Sequence, residues 1–209
     1  MAVLLPHQAG YAILDPGGRD VGVEELTLAA HGAGTRVVSR LETEFPAALR
    51  VDLDWELDAR LVTRRLLIQS RSGWGEEYEI ELTVTGNGLL AHRVAPDGPT
   101  QVELGWGPEV ELDHLSAAFA TVMAARSALE VGHRRRLDTV YLAPEDLLPG
   151  VVARELLRLP DEAGATVLLN RAVDTGHEVR LELHPSGALR GYEGLLRLER
   201  ITLSPAPTK

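Results

Sequence analysis

Cysteine is absent, lysine occurs once, at Lys209, and only 9 of the 209 residues are aromatic. The lack of cysteine excludes a disulfide framework, a thiolate nucleophile and a Cys-ligated zinc or iron–sulfur centre. Cations are scarce: 21 face 31 carboxylates, for a formal charge of −10. Phosphate contacts need clustered cations, so this balance argues against a nucleic-acid partner. No window approaches the roughly 18 apolar residues of a membrane span. The start, MAVLLPHQAGYAILDPGG, carries neither a basic stretch nor a sustained apolar one. The expectation is a cytoplasmic protein without a signal peptide or a transmembrane segment. An apolar content of 44% is too high for disorder and, over this length, sufficient for a core.

What is present is dense turn punctuation. Turn signals stand at Asp15-Pro16-Gly17-Gly18, His31-Gly32-Ala33-Gly34, Ser72-Gly73-Trp74-Gly75, Gly86-Asn87-Gly88, Gly105-Trp106-Gly107-Pro108 and Asp174-Thr175-Gly176. Gly, Asn and Asp supply the positive-φ positions of tight hairpins. Alternating runs lie between them. From Val51 to Arg60, Val51, Leu53, Trp55, Leu57 and Ala59 share one phase, and Asp52, Asp54, Glu56, Asp58 and Arg60 the other. Tyr78, Ile80, Leu82 and Val84 repeat the pattern, as do Val179, Leu181 and Leu183. Alternation of this kind gives strands with one apolar and one charged face, the pattern of antiparallel sheets. The exception is His114 to Val131, rich in Ala, Leu and Met and free of Gly and Pro, which reads as a helix capped by Asp113 and ended by Gly132. Short helical turns are expected at 144–148 and, ambiguously, at 152–157, where Val151-Val152 favours a strand instead. The predicted fold is mainly β: a large curved antiparallel sheet, half-barrel or barrel-like, enclosing one helix near 115–130. It spans one domain over 1–203, with a flexible tail at 204–209.

Few residues point to chemistry. Asp52, Asp54, Glu56 and Asp58 line up along a strand at roughly 6.5–7 Å intervals, which spreads them instead of converging them on a metal. The simpler reading is a solvated face with Arg partners, among them Arg60, Arg64, Arg65, Arg71, Arg180, Arg197 and Arg200. Seven His are scattered without metal-ligand spacing, and there is no G-x-S-x-G elbow, P-loop or G-x-G-x-x-G. The basic run His133-Arg134-Arg135-Arg136 either grips an anion or pairs with neighbouring acids. Trp55 falls on an apolar phase and belongs in the core. Trp74 and Trp106 fall in Gly-flanked turns, as plugs of the sheet's end or as a lip around a ligand.

Three segments together resemble a family of bacterial glycolipid-binding proteins. Asp58-Ala59-Arg60-Leu61-Val62-Thr63-Arg64-Arg65 is similar to that family's D-x-x-W-x-T-R, with Leu61 in the Trp position. Ala118-Phe119-Ala120-Thr121-Val122-Met123-Ala124-Ala125-Arg126 falls where the family carries P-F-T-N-T-L-P-I-R, and Phe119 and Arg126 match. Ser186-Gly187-Ala188-Leu189-Arg190-Gly191-Tyr192-Glu193-Gly194-Leu195 resembles the closing D-x-x-G-x-V-x-x-Y-P-G-L, with Glu193 in place of Pro. The resemblance implies a half-barrel fold similar to that of bacterial lipoprotein carriers, and binding of an amphipathic lipid-like molecule with no established catalysis; no cofactor and no metal are expected.

The resulting expectation is a non-enzymatic protein that holds a lipid-like or glycolipid molecule in a cavity between the sheet and the helix. Trp106 and Phe119 would form its apolar wall or lip, Arg64 and Arg126 would meet the head group, and Tyr192 would donate a hydrogen bond at the rim. Two alternatives remain open. One is a hydrolase acting on a sugar or lipid through the strand carboxylates. The other is a scaffold or homodimerisation module with a filled core.

Overall fold

The computed structural model describes residues 4–86, 88–107 and 110–204. The expected tail beyond Ser204, the Asn87 position and Pro108 lie outside the described residues. The described residues form fifteen strands and one helix. The first eight strands are β1 His7–Leu14, β2 Asp20–His31, β3 Gly34–Thr43, β4 Leu49–Leu57, β5 Thr63–Ser72, β6 Glu77–Thr85, β7 Gly88–Ala95 and β8 Gly98–Gly105. Then follow β9 Val110–Asp113, helix α1 Ala117–Ser127, β10 Arg134–Leu142, β11 Pro149–Glu162, β12 Ala165–Ala172, β13 Glu178–Leu183, β14 Leu189–Tyr192 and β15 Leu196–Leu203.

All strands join one sheet in the order β8 through β1, then β15 down to β9. The sheet is mainly antiparallel and not closed. Each antiparallel pair joins chain neighbours, except that β1 pairs with β15, from His7 opposite Leu203 to Ile13 opposite Leu196. The one parallel pair is β9 with β10. Parallel neighbours need a crossover connection, and α1 is that crossover. It lies on the inner face, where ten of its eleven residues are buried.

The alternating runs became strands for the reason their phases suggest. Val51, Leu53, Trp55 and Leu57 are each at most 3% exposed, in one core with Val37, Leu41, Leu66, Ile68, Ile80 and Leu82. The outer phase is laced with ion pairs. Arg36 and Arg40 on β3 meet Asp54 at 2.6 Å and Asp52 at 2.8 Å, and Arg50 on β4 also meets Asp52, so these partners are not the Arg residues expected. The Arg36 guanidinium holds the Asp54 carboxyl below its usual range.

Several boundaries differ from expectation, each for a local reason. The strand at 51–60 ends at Leu57, and Asp58 closes a turn by accepting the Arg60 and Val62 N–H groups at 2.7 and 2.9 Å. The helix starts three residues later than expected. Ser116, not Asp113, is its N-cap, accepting the Ala118 N–H at 3.1 Å. It ends at Ala128, in a left-handed conformation, before Gly132 is reached. Residues 144–148 form a non-helical turn, and 152–157 lie inside β11. The Arg93 guanidinium on β7 donates to the Asp146 carbonyl in that turn at 2.7 Å, linking the two ends of the sheet. Among the described residues no helix is long and apolar enough to cross a membrane.

Candidate functional site

Two polar clusters interrupt the inner face. The first sits at the start of α1. Glu24 on β2 shares a phase with Leu26 and Leu28 and is fully buried. Its carboxylate accepts the hydroxyls of Ser39 and Ser116, each at 2.5 Å, and the Ala117 N–H at 2.8 Å. α1 has no acidic residue in its own first turn, so a neighbouring strand supplies the negative charge that the helix N-terminus favours. Burial nevertheless outweighs these bonds and raises the Glu24 pKa. Three donors and full burial make this a fastening of the helix to the sheet.

The second cluster has a different character. Asp113 at the end of β9 pairs with Arg154 on β11 at 2.6 Å, both side chains being largely buried. The register places Tyr141 opposite Asp113, Arg154 opposite Leu137, Asn170 opposite Leu156 and Tyr192 opposite Leu181. Alternation therefore brings Asp113, Tyr141, Arg154, Asn170 and Tyr192 to the inner face from five strands. Burial raises the pKa of Asp113, against the pull of Arg154. Burial and the nearby Asp113 charge push Tyr192 up to about 12. The Tyr192 hydroxyl approaches the Asn170 amide without a hydrogen bond of standard geometry. Among the described residues, both amide atoms of Asn170, the Arg154 Nε and the Thr139 hydroxyl have no hydrogen-bond partner. Buried polar groups are nearly always paired, so this concentration is unusual. Tyr141, Arg154 and Tyr192 keep partial exposure, while the unpaired atoms themselves are buried.

The residues singled out by sequence are dispersed. Phe119 is buried in the core and stacks on Trp55, with ring centroids 4.8 Å apart. Arg126 lies beneath the sheet and pairs with the buried Glu111 at 2.7 Å. Arg64 is exposed on β5, and Trp106 packs against the edge of the core. Tyr192 is the member that falls in the second cluster. Asp113, Tyr141, Arg154 and Asn170 were missed. A signal was there for two of them: Arg154 shares a phase with Val152 and Leu156, and Asn170 with Leu168 and Ala172. A polar residue on the apolar phase of a strand marks an inward polar group.

Surface recesses of about 600, 540 and 490 Å³ lie along β2–β6, and α1 lines none of these three. Asp52 and Asp54 stand on the outer face against their Arg partners, not facing each other across a cleft. Among the described residues no group of three or more His, Asp or Glu is placed to hold a metal ion. His133 and Arg134 of the basic run pair with Glu130 and Glu155.

No protein-family model matches the chain. No curated protein matches it significantly by sequence. Solved structures do match. A DUF1089 family protein from Pseudomonas aeruginosa is similar with a TM-score of 0.60 and 19% identity, over 83% of this chain and 91% of that one. A β-barrel-like protein of the domain of unknown function DUF1849 from Brucella abortus is similar with a TM-score of 0.57 and 12% identity, over 98% of this chain and all of the other. At such identities the likeness is one of fold: a mainly β, barrel-like sheet around a single helix.

Proposed function

We propose that this protein binds an amphipathic, lipid-like ligand without catalysis, its polar part seated on Asp113, Tyr141, Arg154, Asn170 and Tyr192. The observation that carries this reading is the Asn170 amide, buried at 1% exposure with neither atom hydrogen-bonded, beside the unpaired Nε of Arg154. A hydroxylated head group would supply both the donor and the acceptor that Asn170 lacks. The Asp113–Arg154 pair is charge-neutral as a unit, which suits a polar head better than a fully ionised one. The aliphatic inner face around it, including Leu137, Leu156, Leu168 and Leu181, suits an acyl chain. The resemblance of three segments to glycolipid-binding proteins points the same way, and Tyr192 belongs to one of them.

Native mass spectrometry and solvent extraction of the purified protein test the reading. The expected result is a bound mass released by organic solvent, and a thermal shift that grows with chain length across a series of alkyl glycosides. A clean ligand-free mass together with no chain-length dependence would overturn it.

A further inference from the structure

The turns between β3 and β4 and between β5 and β6 form one apolar tip. Phe45, Pro46, Ala47 and Ala48 are four consecutive exposed residues in the first turn. Trp74 in the second is 88% exposed. The two turns are locked together: the Gly73 N–H donates to the Ala48 carbonyl at 2.7 Å. A Cβ on Gly73 would come within 2.6 Å of the Ala48 Cβ, so only glycine allows this approach. The first turn is also fixed from below. Its Phe45 N–H donates to the Thr43 hydroxyl at 3.2 Å, and the Glu44 N–H to the Val21 carbonyl at 2.8 Å. The tip is thus held in shape and presents two exposed aromatic side chains, Phe45 at 42% and Trp74 at 88%.

We infer that this tip docks on the interfacial region of a lipid bilayer with a zwitterionic surface. Size separates this from a protein partner. Two aromatic side chains offer on the order of 300 Å² of apolar surface, well short of the roughly 800 Å² per partner of a stable complex. A bilayer needs no complementary surface: Trp and Phe each partition separately, and Trp favours the head-group level. Charge selects the kind of membrane. The two turns and the strand ends beside them carry Glu42, Glu44, Glu76 and Glu77 against Arg50 and Arg71. Both cations are engaged, Arg50 with Glu42 and Asp52 and Arg71 with Glu77. No free basic cluster remains to draw the tip to an anionic surface. This inference rests on the tip alone and stands whether or not the inner face holds a ligand.

The test is flotation of the full chain with phosphatidylcholine vesicles, alongside Trp emission with brominated acyl chains as quenchers. The wild type is expected to float and to be quenched, and added anionic lipid to weaken the association. Trp74→Ser and Phe45→Ser are each expected to lower partitioning about tenfold, from the burial lost per aromatic, with unchanged thermal midpoints. Absence of flotation overturns the inference, as does flotation that survives both substitutions. A concentration-dependent dimer in sedimentation that Trp74→Ser abolishes would also overturn it, and would make the tip a contact between copies.

Discussion

The two halves of the sheet treat their inner faces differently. Under β2 to β6 that face is Leu, Val, Ile and Trp, and its one buried carboxylate, Glu24, has three donors. Lone buried atoms without partners do occur near it, the Ser70 and Tyr11 hydroxyls, with Tyr11 close to Thr121. Under β9 to β14 buried polar atoms without a hydrogen-bond partner among the described residues sit on neighbouring strands: the Thr139 hydroxyl, the Arg154 Nε and the Asn170 amide. One half is sealed for stability. The other keeps buried polar groups whose bonding is incomplete, the groups that the proposed ligand would engage. On the proposed function, fold and ligand binding would divide between two stretches of one sheet.

The largest test of this division is Phe119→Ala. It removes a ring stacked on Trp55 in the sealed half and should cost about 3–5 kcal/mol by chemical denaturation. The ligand-induced thermal shift, measured relative to the variant's own midpoint, should persist. If the shift vanishes with the stability, the halves are not separable.

The next test is pH. His114 is fully buried next to the second cluster, and burial lowers its pKa from 6.5 to about 4. Its neutral form is the folded form, so the stability it contributes is complete above pH 6.5 and is lost as pH falls toward 4, by at most about 3 kcal/mol. Glu24 has the opposite sign. Its raised pKa means that stability is complete below the ordinary carboxylate value and is lost as pH rises through the folded value. Asp113 shares that direction, and His7, lowered by burial, shares that of His114. Equilibrium unfolding across pH should therefore show an acid limb that His114→Leu flattens and a higher limb that Glu24→Gln flattens. A single limb affected by both would merge what the comparison keeps apart.

Asn170→Leu sharpens the contrast from the other side. Replacing an unpaired buried amide by a group of similar volume should be neutral or stabilising by about 1 kcal/mol or less. Ligand retention in native mass spectrometry should fall sharply. Loss of stability with ligand retained would return Asn170 to a structural role. The smallest effect is expected on the outer face. Arg36→Ala breaks an exposed pair with Asp54 and should move neither the midpoint nor ligand retention beyond scatter.

How much of this was legible depended on distance along the chain. The phases of Val51 to Leu57 and of Tyr78 to Val84 reveal strands, because a strand's two faces are written in adjacent residues. Pairing distant in sequence is not. Asp113 looks like a helix cap until Arg154, 41 residues on, draws it into an ion pair and leaves the cap to Ser116. Glu24 lies 92 residues before the helix it fastens. Of the second cluster, only Tyr192 was reached, through resemblance. Arg154 and Asn170 were visible as polar residues on an apolar phase, but alternation does not say that their strands would bring them together.

The pairing of β1 with β15 carries a consequence for assembly. Every other antiparallel pair closes a short connection, while this one joins residues about 190 positions apart. Closing a long loop costs entropy that short hairpins avoid. The sheet is therefore two meanders, one zipping from β1 to β8 and the other from β10 to β15 with β9 added in parallel, which differ in interior as well as in sequence. The seam where they meet lies at the centre of the sheet and is made by the first strand and the last. Until β15 pairs with it, β1 is an open edge of the first meander, and that pairing alone joins the two parts into one sheet.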